Sequence, residues 1–425
     1  MKMKIFVVGG GGREHAIIRA LKRSPKVDRL FAAPGNGGIS KMAVCFPTKA
    51  TDIEGILADV RQTKPDYVFV APDDPLVMGL VDRLNEEGFK TFGPRANAAM
   101  IEGSKVFSKS LMKRYGIPTA DYETFDDPDK AIAYIKEKDS YPTVIKCDGL
   151  ALGKGVIIAE DLQQAAEAVK SMMIDGTFGK SGSEIVVEEY LTGPEVTVLA
   201  FTDGKTVKPM VSSMDHKRAY DDDKGLNTGG MGTIAPNPLY TEEKQQECME
   251  KIFIPTIKAM RAEGRPFNGC IYFGLMLTPS GAKLIEYNCR FGDPETQVVL
   301  PLLETDLVDI MEAIWEEKLD KLEVKWSGNA CACVVMASGG YPEKYETGFE
   351  VEGLDESGPI EGDAYVYHAG TRAEKGKFHT IGGRVLGVTA TADTLQEALD
   401  KAYKAVDTIS FDKAHYRRDI GKKAL

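Results

Sequence analysis

The sequence predicts a multidomain protein of α/β and α+β architecture whose N-terminal part is a doubly wound parallel sheet. Its 425 residues are enough for two to four domains. Buried-strand patterns alternate with helical patterns over residues 4–103, which is typical of a parallel sheet with helices on both faces. The pattern changes after Lys325, where short strands precede one helix at residues 394–409 and indicate a small α+β unit.

Each predicted N-terminal strand ends in a loop rich in glycine, proline or aspartate. The alternating elements are strands at residues 5–8, 30–33, 67–71 and 90–92 and helices at residues 13–23, 52–63 and 76–87. Ligands of doubly wound sheets bind beyond the carboxyl ends of the strands. We therefore expect the loops around Gly9, Gly35 and Asp73 to face a ligand.

Four consecutive glycines follow the first strand and precede Arg13. A dinucleotide fingerprint that starts at Gly10 needs glycine at position 15, where the chain has His15, and residues 32–34 supply no acid for a ribose. We interpret the loop as a helix N-terminus that binds one phosphate. A glycine turn without a ligand is the structural alternative.

A strand at residues 142–146 is predicted to end in Lys146 and to lead into a glycine-rich loop at residues 147–155. A lysine followed by such a loop can hold the phosphates of ATP by its charge and by backbone N–H groups. The loop lacks the G-K-[ST] ending of a P-loop. We expect a hairpin between Ile145 and Val156 in either case.

The end of a further predicted strand, at residues 183–190, can pair its backbone with an adenine edge. Glu188, Glu189 and Glu195 are acidic side chains there that could accept ribose hydroxyls. A solvated acidic turn is the structural alternative. The remaining predicted elements are helices at residues 104–114, 162–173, 241–262 and 302–317 and strands at residues 269–277, 330–338, 364–370 and 382–388.

Glu286 and Asn288 lie two residues apart at the end of a predicted strand that begins at Lys283, so both project to one face. A carboxylate and an amide oxygen side by side suit Mg²⁺, which needs only one or two protein ligands besides phosphate oxygens. The loop at residues 290–297 carries more charge than a simple connection requires. A salt-bridged turn after an edge strand is the alternative interpretation.

Charged residues beside glycines predict an ordered binding loop in the middle of the chain. Residues 215–218 read Asp-His-Lys-Arg, and residues 227–232 read Asn-Thr-Gly-Gly-Met-Gly. We expect the acidic run at residues 221–223 between them to be a solvated tip.

Composition excludes several classes of protein. The formal net charge of −11 argues against a nucleic-acid or membrane partner. Seven cysteines without a disulfide or zinc spacing fit a reducing compartment. The apolar stretch at the N-terminus is too short for a signal peptide. We therefore expect a cytoplasmic protein, and we expect a monomer rather than an oligomer. No Ser/His/Asp spacing indicates a hydrolase, and His368 is expected to be a satisfied strand-end histidine.

With these residues placed, the sequence resembles the phosphoribosylamine–glycine ligase family, also called glycinamide ribonucleotide synthetase, within the ATP-grasp superfamily. The resemblance runs from Val7 to about Gly421, and the most specific motifs are those at residues 227–232 and 288–297. It implies an N-terminal domain at residues 1–103, an ATP-grasp domain at 104–325 with a mobile lobe at about 119–193, and a C-terminal α+β domain at 326–425.

The resemblance implies a reaction in de novo purine synthesis. Glycine and 5-phosphoribosylamine are joined, with ATP as co-substrate and Mg²⁺ or Mn²⁺ as cofactor, through a glycyl phosphate. The products are glycinamide ribonucleotide, ADP and phosphate.

The resemblance also implies roles for individual residues. Arg290, Asp293 and Asp215 are the catalytic candidates, and Glu286 and Asn288 are the metal ligands. ATP contacts are expected at Lys105, Lys146, Gly149, Lys154, Gly155, Glu188, Glu189, Leu191 and Glu195. Substrate contacts are expected at Gly10, Gly12, Arg13, Asn36, Asp73, Lys217, Arg218, Asn227, Gly292, Pro294 and Glu295.

Two features depart from the family pattern: Cys147 and Leu152 stand in or beside the phosphate loop, and residues 272–275 carry no further metal-ligand acid. Three alternatives remain open from the sequence. They are another ATP-grasp ligase of purine synthesis, a dinucleotide-dependent oxidoreductase, and a nucleotide sensor without catalytic activity.

Overall fold

The computed structural model describes residues 2–150, 155–175, 179–354 and 364–425. The N-terminal part is the predicted parallel sheet, with strand order β3-β2-β1-β4-β5. Its strands are β1 (Met3–Gly9), β2 (Val27–Pro34), β3 (Val44–Cys45), β4 (Tyr67–Val70) and β5 (Lys90–Phe92). Its helices are α1 (Gly12–Lys22), α2 (Ile53–Thr63), α3 (Asp73–Val77), α4 (Leu80–Glu86) and α5 (Ala96–Gly103).

The central strand β1 is buried on both faces, from Ile5 to Val8, because helices cover both sides of the sheet. Its end lies beside the ends of its neighbours, since Val8 pairs with both Ala33 and Val70. The three predicted ligand loops therefore meet at one edge of the sheet.

One predicted helix, at residues 76–87, is divided in the structure into α3 and α4. Gly79 separates them with a φ of +86°, a left-handed conformation that glycine adopts without a side-chain clash. The first of the two helices, α3, begins at Asp73, three residues earlier than predicted.

The described residues between 122 and 189 contain a separate four-stranded antiparallel sheet, with strand order β6-β9-β7-β8, and two helices. The predicted hairpin is present, because Lys146 pairs with Val156. The elements are β6 (Tyr122–Phe125), α7 (Pro128–Lys138), β7 (Thr143–Cys147), β8 (Val156–Ala159), α8 (Leu162–Met173) and β9 (Ile185–Glu189). The expectations for Leu152 and Lys154 lie outside the described residues.

A second four-stranded sheet, with order β11-β10-β16-β17, carries the strand that ends at Asn288. Its strands are β10 (Glu195–Asp203), β11 (Val207–Pro209), β16 (Asn268–Thr278) and β17 (Gly281–Asn288), preceded by α6 (Lys105–Arg114). The helix predicted at residues 241–262 is α9 (Glu242–Cys248) and α10 (Ile254–Ala262), joined by one π-helical turn. Strand β10, which the sequence analysis did not predict, lies in the interior of this sheet and pairs with β16 along its whole length.

The C-terminal sheet has the order β12-β15-β18-β23-β20, and β24 adds to β18. Two of its strands, β12 (Met214–Asp215) and β15 (Gly232–Ala235), come from the middle of the chain and flank the hairpin of β13 (Arg218–Tyr220) and β14 (Lys224–Asn227). The others are β18 (Ala330–Ser338), β20 (Ala364–His368), β23 (Arg384–Ala392) and β24 (Ala414–His415), covered by α13 (Leu395–Val406). A three-stranded sheet of β19 (Glu350–Val351), β21 (Thr371–Glu374) and β22 (Lys377–Thr380) lies beside them.

The N-terminal and central sheets share one apolar core. The Phe69 and Phe92 rings stack with centroids 4.3 Å apart, and Phe291 packs against both and against Phe201 of β10. Two short helices complete this region, α11 (Thr296–Val299) and α12 (Leu307–Trp315). This packing fixes the loop after β17 against the ligand edge of the N-terminal sheet. No helix among the described residues is both long and apolar enough to cross a membrane.

Candidate active site

The predicted acid–amide pair lies at the end of β17. Asn288 faces the buried carboxylate of Glu102, and the amide orientation that satisfies its hydrogen bonds places the nitrogen 2.8 Å from Glu102 Oε1, where it donates to that oxygen. The other atom of the amide is the oxygen that a cation needs. Glu286, two residues earlier on the same strand, is about one third exposed. Asn288 is therefore held in position by Glu102, while Glu286 is partly accessible to a ligand.

Three lysines converge on Glu286. Lys217 Nζ lies 3.9 Å from Glu286 Oε1. Burial opposes ionisation of this carboxyl, but Lys217, Lys146 and Lys105 outweigh burial and hold the pKa of Glu286 below its usual value. Glu286 is consequently an anion at neutral pH, surrounded by cations that suit a polyphosphate.

The residues present fit a small hard cation. Carboxylate and amide oxygens are its preferred protein ligands, and one or two of them are enough when a nucleotide supplies phosphate oxygens. In the part of the chain that the structure describes, no three His, Cys, Asp or Glu side chains converge as a metal cage. The pair Glu286 and Asn288 is thus a site that nucleotide phosphates would have to complete.

Lys105 begins α6 and reaches the glycine-rich loop after β7, where its Nζ donates to the Gly149 carbonyl at 2.8 Å. Asp148 holds the start of the same helix, because its carboxylate accepts hydrogen bonds from Ser104 Oγ and Val106 N, each at 3.0 Å. Gly149 has a φ of +101°, which a residue with a side chain would adopt only with strain. Gly155, at the other end of the loop, accepts a hydrogen bond from Cys147 N at 3.0 Å.

The predicted adenine segment begins in the last two residues of β9 and continues beyond the strand. Glu188 is buried between Lys109 and Lys146, so its carboxylate faces lysines and not solvent. Glu189 is exposed and pairs with Lys283 of β17 at 2.9 Å. Leu191 is half-buried just beyond the strand.

Glu195 begins β10 and pairs with Lys217 at 3.3 Å. Its carboxylate is more than half exposed, which leaves it accessible to a ligand. Glu195 and Glu286 together raise the pKa of Lys217 well above its usual value, against the opposing effect of burial. Lys217 therefore stays charged between the predicted ribose acid and the predicted metal ligand.

Arg290 is fixed by two acids from the N-terminal half of the chain. Its Nη2 lies 3.0 Å from Glu102 Oε1 and 3.7 Å from Asp73 Oδ2. Its buried Nε has no hydrogen-bond partner among the described residues. Arg290 and Arg13 hold the pKa of Asp73 below its usual value, although burial acts in the opposite direction.

Asp293 faces a guanidinium from the C-terminal sheet. Arg384 Nη2 lies 3.5 Å from Asp293 Oδ2, and Arg384 Nη1 donates to the carbonyls of Asp293 at 2.8 Å and Gly229 at 2.7 Å. Gln297 Nε2 donates to Asp293 Oδ1 at 2.8 Å. Burial opposes ionisation, but Arg384 and Arg13 hold the pKa of Asp293 below its usual value. Asp293 is an anion beside the start of α1.

Asp215 and Glu295 behave differently from Asp293. Burial and the neighbouring Glu295 carboxylate raise the pKa of Asp215 well above its usual value. Burial also raises the pKa of Glu295, which is enclosed near Tyr272 and Thr197. A side chain at Gly230 would overlap both Asp215 Oδ1 and Pro294 Cδ, so the two loops touch there. Two neighbouring carboxyls that resist ionisation can retain a proton between them.

The first glycine loop is packed too closely for side chains. A Cβ at Gly10 would overlap the Gly35 carbonyl, one at Gly12 would overlap Gln297 Nε2, and one at Gly292 would overlap the Glu295 carboxylate. Arg13 is buried, and its Nη1 donates to the Phe291 carbonyl at 3.2 Å. The glycine loop and the loop after β17 are therefore in direct contact.

Asn36 ties three chain segments together. Its amide nitrogen donates to the carbonyls of Gly10 at 2.9 Å and His368 at 2.7 Å, and its oxygen accepts from the N–H groups of Gly38 and Ile39. The side chain of Asn36 therefore holds the glycine loop in shape, and its predicted contact with a substrate stays a prediction.

Arg218 and Asn227 pair across the β13–β14 hairpin at the rim of the site. The expectation of a solvated acidic tip between them is wrong in part, because Asp221 and Asp223 contact the C-terminal tail. Arg418 N donates to Asp221 Oδ1 at 2.8 Å, and the fully buried Arg417 lies 3.0 Å from Asp223 Oδ1. The tail therefore secures the hairpin that follows Lys217.

Three residues that shape the site were not predicted to do so: Glu102, Lys109 and Arg384. Glu102 lies three residues before Lys105, and a glutamate in an otherwise small and apolar helix end is a usable signal for it. Nothing local distinguishes Lys109 or Arg384, because their partners lie far away along the chain. His368, expected to be a satisfied strand-end histidine, is satisfied only at Nδ1, which lies 2.9 Å from Thr371 Oγ1; its buried Nε2 has no hydrogen-bond partner among the described residues.

Two sheets that enclose converging lysines and an acid–amide pair, attached to a doubly wound domain, define the class of protein: an ATP-dependent ligase of the ATP-grasp type. Family models for the three domains of phosphoribosylglycinamide synthetase match residues 3–102 (N domain), 103–296 (ATP-grasp domain) and 331–423 (C domain). The chain belongs to the phosphoribosylglycinamide synthetase family. The predicted family and the predicted fold class are confirmed.

Curated relatives match over almost their entire length. A phosphoribosylamine–glycine ligase from Caldanaerobacter subterraneus is 47% identical over 98% of this chain and 99% of the relative. One from Escherichia coli O6:H1 is 45% identical over 100% of this chain and 99% of the relative. The predicted ligase class and the place in purine biosynthesis are confirmed by these matches.

Solved structures agree. The crystal structure of phosphoribosylamine–glycine ligase from Thermotoga maritima has a TM-score of 0.86 at 33% identity, over 98% of this chain and 100% of that chain. A biotin carboxylase domain from Hydrogenobacter thermophilus, solved with MgADP and bicarbonate, has a TM-score of 0.76 at 18% identity over 98% of this chain and 92% of that chain. The second likeness shows the fold alone.

Proposed function

We propose that this chain joins glycine to 5-phosphoribosylamine at the expense of ATP, giving glycinamide ribonucleotide, ADP and phosphate. The observation that carries the proposal is the convergence of Lys105, Lys146 and Lys217 on Glu286, beside the loop at residues 290–297. A cationic pocket of this kind can receive a triphosphate and an anionic amino-acid carboxylate together.

The proposed chemistry has two steps. A carboxylate oxygen of glycine attacks the γ-phosphorus of ATP, the bond to the β-phosphate oxygen breaks, and ADP leaves. The amine nitrogen of phosphoribosylamine then attacks the carbonyl carbon of glycyl phosphate, phosphate leaves, and the nitrogen releases a proton. Activation is required because a free carboxylate has no leaving group that an amine can displace.

On the nucleotide side, Lys105 and Lys146 neutralise phosphate charge, and the segment from Glu188 to Leu191 receives adenine. Glu195, the exposed first residue of β10, accepts ribose hydroxyls. The proposal also gives phosphate contacts to Lys154 and Gly155 of the glycine-rich loop. Mg²⁺ or Mn²⁺ held by Glu286 and Asn288 would supply charge neutralisation at the transferred phosphoryl group.

On the acceptor side, the glycine loop at Gly10 and Gly12 offers backbone N–H groups at the start of α1 to the phosphate of phosphoribosylamine. Arg13, Asn36 and Asp73 shape that subsite. Arg218 and Asn227, which pair across the β13–β14 hairpin at the rim of the site, are further contacts to the substrate.

The loop after β17 forms the other wall of the acceptor site, with Gly292 and Pro294 setting its course and Glu295 at its end. Asp293 is the ionised carboxylate best suited to the ammonium group of glycine. Asp215, whose raised pKa favours the protonated form, is the second candidate to contact glycine. Arg290 is the candidate to bind a phosphate or carboxylate.

The proposal includes the setting of the enzyme. It acts as a cytoplasmic monomer with domains at residues 1–103, 104–325 and 326–425, and residues 119–193 move as a lobe over the nucleotide. The pairing of β15 with both β12 and β18 supports rigid attachment of the C-terminal domain to the site, and leaves the separate sheet β6-β9-β7-β8 as the part free to move.

The test is a turnover assay with purified protein, glycine, phosphoribosylamine and Mg-ATP, omitting each component in turn. We expect ADP formation that requires all four, and a product whose mass equals glycinamide ribonucleotide. Equal turnover with alanine or serine in place of glycine would contradict the substrate assignment. Nucleotide binding without turnover would favour the sensor alternative.

A further inference from the structure

Lys109 is a buried lysine that joins separate parts of the ATP-grasp unit. It projects from α6, is 2% exposed, and its Nζ lies 3.0 Å from Glu188 Oε2 of β9. The same Nζ donates to Thr119 Oγ1 at 2.7 Å, and Thr119 donates to the Leu284 carbonyl of β17 at 2.7 Å. One ammonium group therefore connects the strand that ends in the adenine segment with the strand that carries Glu286.

Glu188 Oε2 accepts a second lysine. Lys146 Nζ lies 3.1 Å from that oxygen, while the other carboxylate oxygen is buried without a hydrogen-bond partner among the described residues. Two cations thus share one anion, and all three side chains are largely buried, with exposed fractions of 2% for Lys109, 6% for Lys146 and 3% for Glu188. Without one of the cations, the remaining cation would be fully engaged by the carboxylate.

The two lysines differ in what they can reach. Lys146 is the penultimate residue of β7, beside the glycine-rich loop, and its charge acts on Glu286 in the open pocket. Lys109 is enclosed by protein and has no surface to offer a nucleotide. Its contribution must therefore pass through Glu188.

We propose that Lys109 is a positioning residue of the nucleotide site, whose charge neutralises Glu188 so that the charge of Lys146 remains available to the nucleotide phosphates. The proposal rests on the proposed function, in which Lys146 binds ATP. It adds a role for a lysine that does not touch the nucleotide.

A pH experiment can test the proposal, because the groups around Lys109 shift its pKa. The groups that face it are Glu188 and Glu189 from β9, Lys146 from β7, and the ring of Tyr122 from β6, whose centroid is 5.7 Å from Nζ. Burial lowers the pKa of Lys109 to about 8, against the attraction of Glu188. Above that pH the neutral amine no longer compensates Glu188, and nucleotide affinity should fall.

The experiment measures the Kd of MgADP by isothermal titration calorimetry from pH 7.5 to 9.5. At pH 7.5 we expect Lys109→Met to weaken binding about tenfold, the loss that 1.4 kcal/mol represents. Wild-type affinity should fall toward that of the variant as the pH rises, and the variant should show no such fall. Lys109→Arg, which stays charged throughout, should bind tightly at every pH.

Lys113→Met is the matched control. Lys113 lies one turn further along α6, is exposed, and also faces the Tyr122 ring at 5.5 Å. We expect its affinity and pH profile to match wild type. If Lys109→Met fails to fold, Lys109→Arg and the pH profile of the wild type still test the proposal.

The outcomes are distinct. A flat wild-type Kd from pH 7.5 to 9.5, or wild-type affinity in a folded Lys109→Met protein, overturns the proposal. Loss of affinity in Lys109→Arg equal to that in Lys109→Met also overturns it, because charge would then not be the cause. Absence of MgADP binding by wild type would instead refute the proposed function itself.

Discussion

Arg290 Nη2 lies 3.0 Å from Glu102 Oε1, and this ion pair joins the loop after β17 to the end of α5. Glu102 also accepts a hydrogen bond from Cys289 N at 2.7 Å and receives the amide of Asn288. Burial raises the pKa of Glu102, and Arg290 opposes that effect. One buried carboxylate therefore sets the positions of a predicted catalytic arginine and a predicted metal ligand.

Glu102→Gln should remove the charge at this junction and keep its shape. We expect the free energy of unfolding, measured with urea, to fall by about 2 kcal/mol, the value of a hydrogen bond to a charged group, because Asp73 still compensates Arg290 in part. We also expect kcat/KM for glycine to fall about tenfold, or by 1.4 kcal/mol in transition-state stabilisation. The same change at Glu87, in an exposed pair with Arg61, should leave both measurements unchanged. Unchanged kinetics in Glu102→Gln would contradict the positioning role.

Glu286→Ala should keep the fold and lose metal-dependent turnover. The carboxylate is partly exposed and contributes to no apolar core, so the melting temperature should stay within a few degrees of wild type. We expect the rate of glycine-dependent ADP release to fall on the order of 100-fold, with a higher Mg²⁺ requirement. Glu323→Ala, at a largely exposed surface position, is the control. Full activity of Glu286→Ala at low Mg²⁺ would refute the metal role.

His216 should make stability depend on pH below neutrality. It accepts a hydrogen bond from Gly421 N at Nε2, 3.0 Å away, and burial lowers its pKa to about 4. Because the folded pKa is below the unfolded value of about 6.5, the stability it contributes is present above pH 6.5 and is lost as the pH falls toward 4.

Urea unfolding of wild type and His216→Gln at pH 7 and pH 5 tests this dependence. We expect the wild type to lose about 2 kcal/mol more than the variant between these values, since one pKa unit corresponds to about 1.4 kcal/mol. Equal losses in the two proteins would show that His216 is not the group responsible. Buried His15 and His368, whose pKa values are also lowered, account for the loss that should remain in the variant.

Gly230→Ala should disturb the contact between the loop at residues 227–232 and the loop at residues 290–297. Gly230 has a φ of +116°, and a Cβ there would overlap Pro294 Cδ and Asp215 Oδ1. Gly264→Ala is the matched control, because Gly264 also has positive φ but open space around it, and it should cost about 1 kcal/mol of stability without changing kcat. We expect Gly230→Ala to lose more stability and at least tenfold in kcat/KM for glycine. Equal behaviour of the two variants in the assay would contradict a role for this contact.

Much of the fold follows from the sequence because local patterns determine it. Strand β18 and helix α8 have the predicted bounds, since β18 is a continuous apolar run between Asn329 and Gly339, and α8 is an amphipathic repeat that begins after the capping residue Asp161. Strand β10 was missed although its composition is strand-like, because it is buried along most of its length and lacks the alternation that marks a half-exposed strand. The break at Gly79 was missed because one glycine inside a helical pattern is usually tolerated.

The sequence predicts site residues only where the residues that act together lie close to one another along the chain. Glu286 and Asn288 could be proposed as site residues because two residues on one strand share a face, and Lys146 because it precedes a glycine loop. Glu102 and Arg384 contact Arg290 and Asp293 across long separations in sequence, and no spacing rule connects them. Such contacts arise from packing of whole sheets, which a single sequence does not display.

The pairing of β15 with β18 has a practical consequence for anyone who shortens this protein. A chain that stopped near Trp326 would leave β15 with unpaired backbone groups along one edge, open to association with other molecules. It would also remove Arg384 from Asp293 and the tail from the β13–β14 hairpin. The catalytic unit therefore cannot be trimmed to its nucleotide-binding segment for expression or fusion, and its last hundred residues have to be produced with it.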